Sequence, residues 1–325
     1  MLLAGLHNVA QTDFFNHGNA SIRTDDAIHY TGKMSANQPA LRGNFIRCGL
    51  QFWHRGSIIE EEVNEMADRN SAIGVFDSGV GGVGTLAQLM QELPDEHFIY
   101  YGDTAHAPYG TKTPDEVMQC VRDVMAHLQA RDVKAVVIAC NTATSVAAAT
   151  LREELTLPII GMEPALKPAS ENRQSGDILV LATPVTLSLQ KFERLMEKYG
   201  EAAIPVPCPG LMELVEARDF AGAEAYLAQV FAKADLARVD AVVLGCTHYV
   251  FLRPILSRLL PQHVTVYDGN LGTARQLHRV LESRGLRCDP AQKGSVDIET
   301  SSDDREQVLQ VMHALLAMAR EQLNA

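Results

Sequence analysis

A short repeated segment constrains the fold of this 325-residue chain more than any other feature. The sequence Ala-Val-Val-Ile-Ala-Cys ends at Cys140, and Ala-Val-Val-Leu-Gly-Cys ends at Cys246, so the two segments align without a gap. Each is typical of a buried parallel strand that ends in a thiol. The copies lie about 100 residues apart, a common domain length. The repeat therefore predicts two similar halves, each with a cysteine at the end of a strand.

Short apolar runs alternate with amphipathic segments from residue 71 onwards. This alternation predicts βαβ units, with parallel sheets covered by helices on both faces. The predicted strands are 73–76, 97–101, 135–139, 158–161, 177–182, 204–207, 241–245 and 264–268. The predicted helices include one through 86–90, 114–130 with Thr113 as its cap, 184–199, 213–233 with a break near Asp219, and 303–323. We expect helices to dominate after residue 268, and the expected fold class is α/β, with two pseudo-symmetric parallel-sheet domains.

The first 65 residues differ from the rest because they show no sustained helical or strand period. We expect residues 1–70 to form a disordered extension. The run Glu60-Glu61-Glu62 requires purine-rich codons, as a translated ribosome-binding sequence would, and Met66 follows closely. Our hypothesis is that the natural chain starts near Met66.

Composition excludes several classes of partner. The net charge of −12 argues against nucleic acid, although a small anionic substrate is compatible with it because a local field can oppose the net charge. Six cysteines without a Cys-x-x-Cys pair favour free thiols over a disulfide framework or a zinc ribbon. No apolar run approaches the roughly 20 residues that cross a bilayer. We expect a cytoplasmic protein with no nucleic-acid or membrane partner.

The two repeated cysteines suit acid/base chemistry. Ligands of open α/β sheets bind beyond the carboxyl ends of the strands, where both thiols are predicted to lie. The helix predicted after Cys140 would lower the thiol pKa with its free amides and bind a carboxylate. Inverting a carbon removes a proton from one face and returns one to the other, so two opposed thiols supply a base and an acid. Either cysteine alone would also fit a small buried apolar residue.

Polar residues mark other predicted strand ends. Asp77 and Ser78 begin a glycine-rich turn that matches neither a dinucleotide fingerprint nor a P-loop, so they can hold an ammonium group, or Asp77 can simply cap a helix. Tyr109 lies between Pro108 and Gly110 in a turn whose backbone amide is suited to a carboxylate.

Two further candidate site residues, His248 and Glu216, also have a purely structural interpretation. His248 lies two residues after Cys246 and fits either an acid/base partner or a core histidine. Glu216 fits a solvated helix face on sequence alone.

Five segments together resemble the glutamate racemase family. They are Phe76–Gly82, Pro108–Gly110, Ala139–Thr142, Gly161–Pro164 and Leu244–Tyr249. The resemblance covers roughly residues 71–325 and implies two α/β domains, 71–165 with 273–325 and 166–272, with the active site at their interface. It also implies glutamate as substrate, D-glutamate supply for peptidoglycan, no cofactor such as pyridoxal phosphate, no metal, and a homodimer.

The resemblance further implies roles for residues in the matched motifs. Cys140 would take the α-proton of D-glutamate and Cys246 that of L-glutamate. Assistance to the thiols would come from Asp77, His248 and Glu216. The charged groups of the substrate would be bound by Asp77, Ser78, Tyr109, Gly110, Asn141, Thr142, Thr247 and His248.

The chain departs from the family at His106, where Arg is common, at Val250-Phe251, where Pro-Leu is common, and in its front extension. None of these positions carries a catalytic role in the family. Two alternatives stay open: a racemase of the same superfamily that acts on aspartate or a hydantoin, and a non-catalytic binding protein of the same fold. A pyridoxal-dependent racemase is disfavoured because no lysine lies in a Schiff-base context.

Overall fold

The structure is a computed structural model that describes residues 68–291 and 293–324. The hypothesis of a start near Met66 and almost all of the predicted extension lie outside these ranges. Among the described residues, no helix combines the length and the apolar character needed to cross a bilayer.

Strands and helices alternate along the described chain. The strands are β1 (Ile73–Asp77), β2 (His97–Gly102), β3 (Ala135–Ile138), β4 (Ile159–Gly161), β5 (Asp177–Ala182), β6 (Ala203–Pro207), β7 (Val239–Leu244), β8 (Thr265–Tyr267) and β9 (Ser295–Thr300). The helices are α1 (Val83–Glu92), α2 (Pro114–Ala130), α3 (Asn141–Glu154), α4 (Leu166–Asn172), α5 (Pro184–Ser188), α6 (Gln190–Tyr199), α7 (Leu211–Glu216), α8 (Phe220–Phe231), α9 (Arg253–Leu259), α10 (Asn270–Ser283) and α11 (Arg305–Asn324).

The strands form two parallel sheets with the same internal order. The first sheet runs β4-β3-β1-β2-β9 and the second runs β8-β7-β5-β6, so β1 to β4 correspond in turn to β5 to β8. In this correspondence β3 matches β7, which are the two strands of the sequence repeat. The predicted fold class, two pseudo-symmetric α/β domains, is confirmed. The residue boundaries of the domains stay a prediction.

Local sequence explains most of these elements. The strands β1 and β3 are fully buried because apolar residues occupy both faces of a strand that lies inside a sheet. Helix α2 begins where predicted, since Thr113 and Glu116 form a reciprocal capping box and Pro114 occupies the first turn. Strand β6 contains two prolines and lies at a sheet edge, where a missing amide hydrogen bond is tolerated.

The structure adds two details that the sequence analysis missed. Helices α10 and α11 dominate after residue 268, as predicted, but strand β9 lies between them. In β9, Val296 and Ile298 alternate with acidic residues, a period of two that suits an edge strand. The helix predicted over 184–199 is divided into α5 and α6, because Leu189 adopts an extended backbone conformation. The predicted break near Asp219 is confirmed, since α7 and α8 are separate.

The chain crosses between the sheets twice, and the two crossings touch. The first crossing joins β4 to α4, which packs against strands of the second sheet. The second joins β8 to α10, which packs on α1 and β4 of the first. Gly269 in the second crossing has no side chain, and a Cβ atom there would collide with the carbonyl of Glu163 in the first. Glycine therefore permits the two connections to run side by side.

A buried ion pair lies at the amino-terminal ends of two strands of the first sheet. Lys134, just before β3, pairs with Glu96, just before β2, and both side chains are fully buried. The same carboxylate accepts a hydrogen bond from the backbone amide of Cys288 and lies 3.4 Å from the Arg287 guanidinium. The carboxylate is therefore compensated from two sides, as a buried charge requires.

Candidate active site

The structure brings the two repeated cysteines to one cavity. Cys140 lies two residues beyond β3 and caps α3, while Cys246 lies two residues beyond β7, next to a 3₁₀ turn over Thr247–Leu252. Both thiols line a cavity of about 250 Å³. Because β3 and β7 occupy equivalent places in their sheets, each domain contributes one thiol from the same position of its fold.

Asn141 joins the two strand ends across this cavity. Its Nδ2 donates a hydrogen bond to the carbonyl of Gly245, 3.2 Å away. Asn141 follows Cys140 and Gly245 precedes Cys246, so this bond links the two strand ends. Its Oδ1 is buried and has no hydrogen-bond partner among the described residues. An unpaired buried acceptor is costly, and Asn141 lines the cavity, so this oxygen is suited to a ligand's ammonium group.

The Cys140 thiol has a polar but buried environment. Its Sγ accepts a hydrogen bond from the Ala143 amide at 3.4 Å and lies 3.5 Å from the Ser78 hydroxyl, to which it donates. Burial and the nearby Asp77 charge raise the pKa of Cys140 to about 11. The helix amide lowers the pKa as the sequence predicted, but burial outweighs it. The prediction of a lowered Cys140 pKa was therefore wrong, and the thiol form dominates at neutral pH.

The Cys246 thiol begins a chain of acid/base groups. Its Sγ lies 3.7 Å from Nδ1 of His248, and Nε2 of the same ring donates to Oε1 of Glu216 at 2.9 Å. Burial lowers the pKa of His248, but its bonds with Cys246 and Glu216 raise the pKa well above its ordinary value. Burial raises the pKa of Glu216, but the hydrogen bond and the charge of His248 lower it by more, so the net shift of this pKa is downward. The imidazolium form of His248 is thus favoured next to Cys246.

Asp77 lies behind the cavity wall and connects the two domains. Its Oδ1 accepts a hydrogen bond from the Gly79 amide at 2.8 Å, and its Oδ2 accepts one from the Thr247 hydroxyl at 3.3 Å. Burial raises the pKa of Asp77, although the positive charge of His248 opposes this effect. The Asp77 carboxylate therefore acts on both thiols: its charge raises the pKa of Cys140, and it is hydrogen-bonded to Thr247, the residue after Cys246.

Most of the predicted site residues line the cavity itself. They are Ser78, Tyr109, Gly110, Cys140, Asn141, Thr142, Cys246, Thr247 and His248. Asp77 and Glu216 do not line it but contact residues that do. The Tyr109 hydroxyl donates a hydrogen bond to Asp103 at 2.6 Å, so this hydroxyl holds the loop together. No Lys or Arg is among the described residues of the lining, which instead offers hydroxyls, backbone amides, one imidazole and the carboxylate of Glu213.

Several residues of the lining were missed at the sequence level, among them Thr183, Thr186, Cys208 and Glu213. Thr183 follows β5 directly and caps α5, and its hydroxyl lies 2.9 Å from that of Thr186. Its position after a strand in the second domain is the signal that could have identified it. Cys208 follows β6, and burial raises its pKa to about 12, so it remains a neutral thiol.

The arrangement is suited to a small ligand that carries carboxylates and an ammonium group. Hydroxyl and amide donors bind carboxylates without a cationic side chain, and the N-terminus of α3 adds its aligned amides. The two thiols come from different domains, so a ligand between them presents two faces to two acid/base groups.

Comparison with known proteins places this geometry in a family. The model of the family described as Asp/Glu/Hydantoin racemase matches residues 76–277. A glutamate racemase of Clostridium novyi is 46% identical over 252 residues, covering 76% of this chain and 97% of the relative. The crystal structure of glutamate racemase from Thermus thermophilus in complex with β-chloro-D-alanine matches with a TM-score of 0.67 and 34% identity, covering 76% of this chain and 94% of the other. The Escherichia coli glutamate racemase, in complex with L-glutamate and the activator UDP-MurNAc-Ala, matches with a TM-score of 0.64 and 28% identity, covering 75% and 94%. The chain belongs to the Asp/Glu/hydantoin racemase family.

Proposed function

We propose that this protein is a glutamate racemase that interconverts L-glutamate and D-glutamate by proton transfer at the α-carbon, without a cofactor. The observation that carries the proposal is the pair of thiols, Cys140 and Cys246, at equivalent strand ends on one cavity. Curated relatives at 42–46% identity are named glutamate racemase, which supports glutamate over aspartate or a hydantoin. The presence of both thiols and their polar partners also disfavours a binding protein without catalysis.

The surroundings of the two thiols assign their first roles. With a pKa of about 11, Cys140 holds its proton at neutral pH and is suited to act as the acid. His248, whose raised pKa favours the imidazolium, lies beside Cys246 and suits this cysteine to act as the base. We therefore assign L-glutamate as the enantiomer from which Cys246 takes the α-proton.

In that direction the proton balance is closed within the site. The Cys246 thiolate takes the α-proton and becomes a thiol, and the electron pair stays on the α-carbon. Cys140 then gives its proton to the opposite face of that carbon and becomes the thiolate. In the reverse direction the roles exchange. Reaching a Cys140 thiolate at pH 7 from a pKa of about 11 costs about 5 kcal/mol, so contacts with substrate must supply much of this free energy.

The binding roles follow from the polar lining. Asn141 Oδ1 is suited to the substrate ammonium group, with Ser78 close to Cys140. We assign the carboxylates to hydroxyls and backbone amides of the loop Tyr109–Gly110 and of Thr142 and Thr247. The hydroxyls of Thr183 and Thr186 add a second set of donors on the second domain. These donors line one cavity and suit a substrate with two carboxylates.

The family resemblance extends the proposal to the cell. We propose that the product D-glutamate is used for peptidoglycan and that the enzyme is a homodimer. The cytoplasmic location likewise stays a prediction.

The test is racemisation in deuterated buffer. Purified protein is incubated with L-glutamate without added cofactor, and optical rotation and loss of the α-proton signal are followed together. We expect both changes in the wild type and a strong reduction in Cys140→Ser and in Cys246→Ser. Cys288→Ser, which removes a buried thiol that donates to the carbonyl of Asp95 away from the cavity, is the matched control and should remain active. Absence of both inversion and exchange in folded wild type contradicts the proposal, and turnover of aspartate alone would redirect it to that substrate.

A further inference from the structure

One side-chain cluster outside the cavity combines a carboxylate, a thiol and an imidazole. Asp103 precedes a short 3₁₀ turn that ends at His106, and Cys120 lies on α2. One potential ligand atom from each side chain lies within 4.8 Å of the other two. None of the three lines the catalytic cavity, and the proposed reaction uses none of them.

Asp103 carries a buried charge with little compensation. Its side chain is only 4% exposed, and its Oδ1 lies 2.8 Å from Nδ1 of His106. Its Oδ2 accepts the hydrogen bond from Tyr109. Within the described ranges, no Lys or Arg forms an ion pair with this carboxylate, and His106 compensates the charge only when protonated. A buried carboxylate without a permanent cation is unfavourable, so a bound cation would stabilise it.

The ligand set selects the kind of cation. Oxygen-seeking Mg²⁺ and Ca²⁺ do not favour thiolate or imidazole, whereas Zn²⁺ binds thiolate, imidazole and carboxylate together. Tetrahedral Zn²⁺ places its ligand atoms roughly 3.5 Å apart. The present ligand atoms lie within 4.8 Å of one another, so side chains must rotate to reach this spacing, and the 53% exposed side chain of His106 is free to do so. The exposed side leaves a fourth position for water.

We propose that Asp103, His106 and Cys120 bind Zn²⁺ at a site separate from the racemase chemistry. Binding replaces the thiol proton of Cys120, which is released to solvent, so two anionic ligands and one neutral imidazole hold the divalent ion. The site also has a structural consequence. Asp103 accepts a hydrogen bond from Tyr109, which lines the catalytic cavity, and Cys120 lies on α2. A metal bound to Asp103 and Cys120 would therefore fix the loop that carries Tyr109 to α2.

The substitution His106→Arg tests the imidazole ligand, because an arginine does not ligate a metal. It therefore removes one ligand from the site. It supplies a permanent cation beside Asp103 in place of the metal.

The test uses Co²⁺ as a spectroscopic substitute for Zn²⁺. Full-length protein with Cys140→Ser, Cys208→Ser and Cys246→Ser, so that none of the three cavity thiols can contribute, is stripped with a chelator and titrated with Co²⁺. We expect a cobalt–thiolate charge-transfer band that saturates at one ion per chain and disappears when Zn²⁺ is added.

Variants in the same background assign the ligands. Cys120→Ser should abolish the band, and His106→Arg should weaken Zn²⁺ binding about 100-fold or more, since even loss of an outer hydrogen-bond partner costs 10- to 100-fold. His278→Arg, at a histidine on the surface of α10, is the matched control and should leave the band unchanged. Circular dichroism verifies that each variant is folded.

Two results would overturn the site. One is a folded protein without a thiolate band, and the other is a band that survives both Cys120→Ser and His106→Arg. Because the readout is metal absorption in a background without the catalytic thiols, it is independent of the racemase proposal.

Discussion

The contact between Glu216 and His248 offers the sharpest test of the acid/base chain. Glu216→Gln keeps the shape of the side chain but removes the charge that accepts the proton of Nε2 at 2.9 Å. A hydrogen bond to a charged group contributes about 1.5–3 kcal/mol. The Glu216 side chain is 38% exposed, so we take the lower end of this range because of solvent screening. About 1.5 kcal/mol corresponds to about one pKa unit and about a tenfold change in rate.

The sign of the pH effect follows from the raised pKa of His248. In the wild type, Glu216 helps to keep His248 protonated above its ordinary pKa, so the imidazolium that supports the Cys246 thiolate persists to higher pH. Without the Glu216 charge, that pKa falls. The alkaline limb of kcat/KM should then move to lower pH by about one unit, with kcat/KM about tenfold lower near the wild-type limb.

Circular dichroism of glutamate measures both directions of the reaction across pH. Because L- and D-glutamate are equal in free energy, kcat/KM must fall equally in the two directions, while kcat and KM can change separately. Glu197→Gln, at an exposed position of α6 that does not line the cavity, is the matched control. An alkaline limb that stays in place in Glu216→Gln, or moves equally in Glu197→Gln, would refute the proposed chain.

Three further predictions concern other contacts. Asp77→Asn should lower the pKa of Cys140 from about 11, because it removes a neighbouring negative charge, and the pH dependence of alkylation in a Cys246→Ser background measures this; an unchanged or higher pKa would contradict the assigned cause. Asn141→Ala should raise KM for glutamate more than it lowers kcat if Oδ1 binds the ammonium group equally in ground and transition states, which steady-state kinetics can show. Lys134→Met should reduce the free energy of unfolding by about 3–5 kcal/mol, because it leaves the Glu96 charge buried with weaker compensation. Urea titration measures this loss, and a loss below about 1 kcal/mol would contradict the reasoning.

Sequence patterns predicted the features that depend on nearby residues. The capping box at Thr113, the buried β3 and β7, and the thiols at their ends all follow from local periodicity and from the rule for strand ends. The edge strand β9 was missed because its acidic, half-exposed residues resemble a loop until a neighbouring strand is present.

Features that depend on burial and on distant contacts could not be predicted from periodicity. Glu216 lies 32 positions before His248, and nothing in the local pattern of α7 distinguishes it from a solvated carboxylate; its role came from the resemblance. The pKa of Cys140 was predicted with the wrong sign because burial and Asp77 outweigh the helix amide, and sequence does not give their relative strengths.

The side-by-side crossings at Glu163 and Gly269 have a mechanical consequence. Two bodies joined by a single strand can twist and swing freely, whereas two adjacent strands resist twisting and leave one easy rotation about the line through them. We expect such a hinge to keep the relative placement of Cys140 and Cys246 constrained if the two domains move. Gly269 sets the spacing of the two crossings, since any side chain there would push them apart. The relative placement of the two thiols is thus expected to depend on the absence of a single Cβ atom.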